Sequence, residues 1–308
     1  MYDVLVAGEI NPDLILSAPD LEVEFGQVET LVKDSALTIG SSSAIFACGA
    51  ARLGLGVAFI GMVGDDLFGR FMLEALRERA VDISNVCVDP SLDTGFSVIL
   101  NRGSDRAILT YPGAMGALRA EQVTDDLLLQ ARHLHVASYF LQTRLQPGLP
   151  DLLARAHACG LSTSLDPNWD PSGRWAGFDE LLPLVDIFLP NETEALSLAR
   201  SQTVDEALTR LGEVCNLIAI KQGARGAIAC NGECVIMAPS MSVPVVDTVG
   251  AGDSFDAGFI YGYLRGWRLE RCLRFATACG ALSTRRTGGT TGQPTREEVQ
   301  AVWDDDDR

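Results

Sequence analysis

The feature that most restricts how this chain can fold is a repeated alternation. Short apolar or β-branched runs are each followed by a longer stretch with apolar residues at helical spacing. Residues 4–7, 58–62, 133–137, 162–166, 187–190 and 217–221 read as buried strands. Residues 43–53, 67–79, 149–158, 192–200 and 204–213 read as helices between them. Strands of this kind, separated by helices, belong in a parallel sheet covered on both faces. The expected class is α/β, with a doubly wound, mostly parallel sheet flanked by helices. No tandem repeat or low-complexity linker divides the 308 residues, so one domain over residues 1–303 is expected. An acidic tail at 304–308 reads as a solvated, frayed end. Two inserted segments, about 12–38 and 92–111, break the rhythm: they lack helix signals and carry β-like stretches at 14–16, 96–100 and 106–110, which could form a small β-sheet on the main body.

Charge narrows the partners. With 41 acidic and 24 basic residues the formal net charge is −17, which offers no electrostatic attraction to nucleic acid or an anionic membrane. A polyanionic ligand must then be held by local devices against an unfavourable overall field. No apolar run approaches the roughly 20 residues that span a bilayer, and Met1-Tyr2-Asp3 leads into the first strand without a basic leader, so a cytoplasmic location is expected. The eight cysteines include no C-x-x-C pair and read as reduced thiols. His133 and His135 alternate on a strand and His157 is alone on a helix, a pattern for packing or surface roles rather than zinc.

The chemistry concentrates near the C-terminus, in the string Asp247-Thr248-Val249-Gly250-Ala251-Gly252-Asp253-Ser254-Phe255-Asp256-Ala257-Gly258-Phe259. Small residues at Gly250, Ala251 and Gly252 let successive backbone N–H groups converge, and the start of an amphipathic helix adds its positive end. That builds an anion hole with the Asp253 carboxylate at its rim, an arrangement suited to phosphoryl transfer. The same four residues also make an ordinary N-cap and tight turn. There is no G-x-x-x-x-G-K-[ST], and Gly8-Glu9-Ile10-Asn11-Pro12-Asp13 stands where a dinucleotide fingerprint would follow the first strand.

Taken whole, the string from Asp247 to Gly258 resembles the second signature of the ribokinase-like (PfkB) sugar kinases, and the similarity extends from about residue 3 to about 300. The resemblance implies an ATP-dependent kinase that transfers the γ-phosphoryl group to a hydroxyl of a sugar or sugar-like molecule. A nucleoside or sugar-phosphate acceptor, or a catalytically silent binding protein on the same fold, are the alternatives. In that frame Asp253 is the base, with an ordinary carboxylate pKa near 4, and the amides of Gly250, Ala251 and Gly252 hold the transferring group. Asn11 and Asp13 match the pair that binds sugar hydroxyls. Gly40 and Ser41 begin the family's first signature, where Ser41 replaces its second glycine. Ile45 stands where many members place an Asn that bonds the sugar, implying an acceptor that differs from ribose at that edge. Val63 to Gly69 also matches, with an Asp pair read as a helix cap.

Asn191 and Glu194 resemble the family's N-x-x-E element, which suits Mg²⁺ held largely through water beside ATP phosphates; a capping sequence explains them equally. Lys221, Gly223 and Gly226 resemble the nucleotide-binding loop. Lys221 replaces a common hydroxyl residue and either touches a phosphate or ends the strand by reaching solvent. Asp166-Pro167-Asn168 points toward the same crevice. Ala278, Cys279 and the loop 287–290 look like the adenine-side helix and loop, and Asp247 with that loop could hold a monovalent cation such as K⁺. The small sheet is implied to be a lid over the sugar, where Arg102 and Arg106 either pair with an anionic acceptor or remain surface charges. Its free edges could be covered by a second copy, giving a homodimer.

Overall fold

Along the first strand, β1 (Tyr2–Ala7), Val4 and Val6 enter one apolar cluster while Leu5 and Ala7 enter another on the opposite side. A strand with two apolar faces needs cover on both. The computed structural model describes residues 1–102 and 105–306, and shows how that cover is supplied. After β1 come β2 (Pro12–Ala18), β3 (Asp34–Ile39), α1 (Ser42–Arg52), β4 (Val57–Ile60), β5 (Met62–Val63), α2 (Leu67–Glu78), β6 (Val81–Asp82), β7 (Cys87–Val88), β8 (Phe96–Arg102) and β9 (Asp105–Tyr111). Then follow α3 (Asp125–Leu128), β10 (Ala131–Val136), α4 (Leu149–Ala158), β11 (Ser162–Leu165), β12 (Ile187–Phe188), α5 (Glu192–Ala199), α6 (Val204–Gly212) and β13 (Ile218–Lys221). The chain closes with β14 (Ala227–Cys230), β15 (Val235–Ala238), α7 (Ala251–Leu264), α8 (Leu269–Ser283) and α9 (Arg296–Asp306).

Among the described residues the main sheet has nine strands in the order β15-β14-β13-β12-β11-β10-β1-β4-β6. Neighbours from β6 to β13 run parallel, and β14 and β15 add an antiparallel edge. Residues of α1, α2, α7 and α8 line one apolar cluster and those of α3 to α6 the other, so the sheet is doubly wound. From β1 the chain moves outward to β4 and β6, then returns to β10 on the other side and proceeds to β13. The order reverses between β1 and β10, and the crevice at the carboxyl ends of strands beside such a reversal is where open α/β sheets bind ligands.

Two histidines lie inside the sheet, and all but one of their ring nitrogens, His135 Nε2, find a partner. Both His133 and His135 are fully buried, and their rings bond the Ser162 and Ser164 hydroxyls of neighbouring β11 at 2.7 Å. Helix α7 departs from the amphipathic pattern expected of it: every residue from Asp253 to Gly262 is buried, because α1 packs on one side and α8 on the other. Helix α9 runs on through Asp306, into the segment read as a frayed tail; Asp307 and Arg308 lie outside the described residues.

A separate four-stranded sheet, in the order β3-β2-β8-β9, comes from the two segments that broke the helical rhythm. Gly103 and Ser104, between its last two strands, lie outside the described residues. Its two faces differ. Leu37, Leu14, Val98 and Leu109 are register partners in one row across the sheet, and Leu37 and Leu109 are exposed. On the other face Asp13, Ser97, Thr110 and Thr38 form the row, with Ser97 and Thr110 hydroxyls 3.0 Å apart.

Candidate active site

Helix α7 begins on Gly250, whose φ of 74° lies in the left-handed region that favours glycine. No side chain caps this helix end, and the amides of Gly252 and Asp253 have no acceptor among the described residues. The Ala251 amide reaches the Thr248 carbonyl at 3.3 Å, near the limit of a hydrogen bond. These are the donors that a helix start leaves for an anion. Asp247 sits behind the turn with both carboxylate oxygens engaged: Val249 N–H donates to one at 3.0 Å and Gly288 N–H to the other at 2.9 Å. The loop at Thr287–Thr290 expected on the adenine side is thereby tied to the turn.

Asp253 lies in the first turn of α7, only 8% exposed. Burial, and then the charge of Asp166, push its carboxyl up to about 7, against the opposing effects of Lys221 and hydrogen bonding by Ser42. The ordinary carboxylate pKa expected from sequence is therefore corrected upward, to a value suited to a general base at neutral pH.

Beneath the turn lies a group of charges that sequence reading did not assemble. Lys221 Nζ donates to Asp166 Oδ2 at 2.7 Å and to Asp256 Oδ2 and Oδ1 at 3.0 and 3.2 Å. Asp166 and Asp256 are almost wholly buried. Lys221 does not end the strand by reaching out to solvent: its side chain is 11% exposed and its amine is paired with two carboxylates. Burial works against its charge, yet Asp166, Asp256 and Glu194 outweigh that and hold the ammonium pKa above its usual value. Asp166, Asp253 and Asp256 each offer an oxygen within 4.8 Å of the others. Asp256 was quoted in the sequence string but given no role. A second carboxylate one turn after Asp253, in an otherwise apolar helix, was the available signal.

At the small-sheet end, Asn11, Asp13 and Gly40 come together as expected. The Gly40 amide donates to the Asn11 carbonyl at 3.1 Å, and a Cβ on Gly40 would run into the Asp13 carboxylate. Asn11 Nδ2 stands 3.4 Å from Asp13 Oδ1. Burial pushes the Asp13 carboxyl up to about 7, with the charge of Arg106 opposing the rise. Two expectations change here. Ser41 turns its hydroxyl inward, donating toward the Glu9 carbonyl at 2.7 Å and carboxylate at 3.0 Å while accepting from Ala44 N–H. It caps α1 rather than facing the crevice, and Glu9, which the sequence reading passed over, also accepts from the Ser43 hydroxyl. Ile45 is 3% exposed and packs where a Cβ on Gly250 or Gly289 would be, so it wedges the α7 turn against the 287–290 loop instead of facing an acceptor.

On the side expected to take the nucleotide, Asn191 caps α5 in a full capping box: its side chain accepts from Glu194 N–H, and Glu194 accepts from Asn191 N–H at 2.8 Å and Nδ2 at 2.5 Å. Burial, then the Asp166 charge, push the Glu194 carboxyl up to about 8. A cleft of about 360 Å³ lies beside them, lined by Trp169, Asn191, Thr193, Lys221 and Gly223. Gly223 and Gly226 both have positive φ in the loop after β13, which Gln222 N–H closes onto the Gly226 carbonyl. Cys279 does not line this cleft. It is 1% exposed and packs against Gly258 in the α7–α8 contact, where a Cβ would lie 2.8 Å from its sulfur. A cleft of about 410 Å³ lies toward the far end of the small sheet, bounded by Arg102 and Arg106. Arg102 is paired there with Glu22 and Asp105 at 3.9 and 3.8 Å.

Residues 1–296 match the model of the pfkB family of carbohydrate kinases. The chain is 30% identical over 308 residues to an ATP-dependent ribose-1-phosphate kinase of Halopiger xanaduensis, with 98% of each chain covered. It is 30% identical over 302 residues to a ribokinase of Haemophilus influenzae, with 96% of each covered. Among solved structures, a candidate ribokinase II from E. coli in complex with ATP and Mg²⁺ superposes with a TM-score of 0.87 at 27% identity, covering 99% of this chain and 100% of that one.

Proposed function

This chain belongs to the pfkB family of carbohydrate kinases, and from that premise we propose that it transfers the γ-phosphoryl group of ATP to a hydroxyl of a sugar or sugar-like small molecule. The observation that carries the proposal is Asp253, buried with a raised pKa beside two uncapped amides at the mouth of the crevice. Asp253 takes the proton of the attacking hydroxyl as the new bond forms, a late event in a loose transition state, so its position counts for more than its basicity. The amides of Gly250 to Asp253 stabilise the charge on the transferring group. Asn11, Asp13 and Gly40 orient the acceptor.

The residues fit Mg²⁺ and ATP on chemical grounds. Asn191 and Glu194 present hard oxygen atoms at a strand end, suited to a divalent cation bound through water, which would favour the ionised form of the Glu194 carboxyl against the burial that raises its pKa. Bound Mg-ATP would supply the phosphoryl group and offset its negative charge. Gly223, beside the cleft with open space where a Cβ would be, leaves room for the nucleotide, and Gly226 lets the loop close against the Ala238 carbonyl. Asp247 and the loop it anchors are suited to a monovalent cation such as K⁺, which we include in the reading. The small sheet, whose strand β2 carries Asp13, acts as a lid that keeps water from the reacting group. Its exposed leucine row and the free edge of β9 support a homodimer. No described helix is long and apolar enough to cross a membrane, and eight free thiols fit a reducing cytoplasm.

A phosphorylated acceptor is the second reading. Arg106 is on the face of the small sheet that carries Asp13 and acts on its charge, and one relative is described as a ribose-1-phosphate kinase. The test is a coupled ADP-release screen of hexoses, pentoses, keto-deoxy acids, sugar phosphates and nucleosides with Mg²⁺, with and without K⁺. Acceptor-dependent ADP release supports the kinase; tight acceptor binding without release would make the protein a silent relative.

A further inference from the structure

The buried lysine is the least expected part of the site. Among the described residues its ammonium directs its donors to Asp166 at the end of β11 and to both oxygens of Asp256 on α7. Those two carboxylates are 2% and 1% exposed, and the lysine side chain is 11% exposed. The ammonium also lies directly beneath the anion hole: a Cβ on Gly252 would stand 3.5 Å from Nζ. Three elements that are distant in sequence, β11, β13 and the first turns of α7, therefore meet on one nitrogen. An ammonium offers three donors; Asp166 takes one, and the two oxygens of the Asp256 carboxylate, which lie in nearly the same direction from Nζ, share another.

We propose that Lys221 is a positioning residue, a built-in cation that fastens α7 to the ends of β11 and β13, aims its open amides and Asp253 at the acceptor, and keeps these bonds when nucleotide binds. It rests on the kinase reading above for its catalytic consequence, but not for the tether itself. The tether also answers a charge problem. Asp166, Asp256, Glu194 and Glu9 all surround Asp253, and a phosphoryl group brought into that setting would be repelled. One fixed ammonium under the amide turn offsets part of that field without occupying the phosphate site.

The chain has only two lysines, Lys33 and Lys221, and Lys33 is exposed, so both ammonium groups can be read separately after ¹⁵N-lysine labelling. In the unmodified protein the Lys221 ammonium is expected to give a sharp, exchange-protected ¹⁵Nζ–¹H signal, and the Lys33 signal to be lost to exchange. Adding Mg²⁺ with a non-hydrolysable ATP analogue should leave the Lys221 signal protected and nearly unshifted. A Lys221 signal that exchanges like Lys33, or one that gains ³¹P coupling on addition of the analogue, overturns the tether. This measurement needs no turnover, so it stands or falls separately from the kinase reading.

The catalytic arm uses Lys221→Met. Its kcat should fall about 100-fold, the size of effect a misplaced reacting group produces, while KM for the acceptor stays within about threefold. The acid limb of its pH profile should move upward, because the ammonium favours ionised Asp253, which faces Asp166, Asp256, Glu194, Glu9 and the Ser42 hydroxyl. In Lys221→Met/Asp256→Asn, which buries one charge fewer and is the variant to use if the single one does not fold, the limb should return toward its original position while kcat stays low. A kcat within threefold of the parent, or a loss confined to KM for ATP, overturns the proposal. If neither variant folds, the NMR outcome decides.

Discussion

The two ends of the crevice are built on opposite principles. At the α7 end, Lys221 answers Asp166 and Asp256, Asp247 holds two amides, and the donors left open are those of the turn itself. At the small-sheet end, Asn11 and Asp13 are buried with only a 3.4 Å contact between them, long for a hydrogen bond. A buried carboxylate without good partners is costly, which is why burial raises Asp13 to about 7. One end is finished without a ligand; the other, in the function proposed, would be completed by the hydroxyls of an acceptor. On the proposed function, chemistry would be held by an internal network, while acceptor choice would rest with a few groups at the small-sheet end.

The largest expected effect probes the finished end. Asp253→Asn keeps the shape and removes the base, and kcat should fall roughly 10³-fold or more, at the upper range of general-base effects, with calorimetric affinities for ATP and acceptor preserved. In the parent, kcat/KM should decline as pH falls through about 7, because the base must be ionised and its carboxyl is raised to that value. Retention of about a tenth or more of kcat would put the base elsewhere and dissolve the contrast between the ends.

A smaller effect is expected at the unfinished end. Asp13→Asn should lower kcat/KM for the acceptor about 100-fold through lost charge-assisted bonds to its hydroxyls, and should make the free protein more stable at pH 8. The sign follows from the raised pKa. The folded protein binds a proton that the unfolded chain has released, so the ionised carboxylate costs stability above pH 7, by up to about 4 kcal/mol for a shift of this size, and nothing below the unfolded value near 4. Thermal melts of the two proteins should differ at pH 8 and converge at pH 4. Equal melting at both values would mean that Asp13 is already satisfied and that the two ends are alike.

What could be read in the sequence was local. Gly250 to Asp253, Asn11 with Asp13, and Gly40 are short strings whose backbone demands belong to the strings themselves. Strands and helices were legible for the same reason, within a residue or two at most ends. The partners of Lys221 are 55 and 35 residues away, and nothing at the end of a strand tells which carboxylates will arrive there. Ser41 and Glu9 meet across 32 residues, so a serine in place of the signature's second glycine was read with the acceptor, and its role as a cap of α1 was not visible. The β14–β15 edge also went unread, although Asn231-Gly232 between two apolar runs is a recognisable hairpin turn.

Ile45 gives the finest test of the boundary between the ends, since its place in the first signature puts it with the acceptor and its side chain puts it with α7. Ile45→Val removes the δ-methyl, which lies closest to where a Cβ on Gly289 would be. Loss of one buried methyl group costs about 1 kcal/mol, including the small cavity left behind. Denaturant melts should therefore show a modest loss of stability, and kcat should dip slightly as the α7 turn loosens against the 287–290 loop. The order of preference among acceptors should not change, because this side chain is buried between the α7 turn and the 287–290 loop. A reordered acceptor series with unchanged stability would move Ile45 to the other side of the boundary, and the acceptor end would then reach farther into the α1 start than Asn11, Asp13 and Gly40 define.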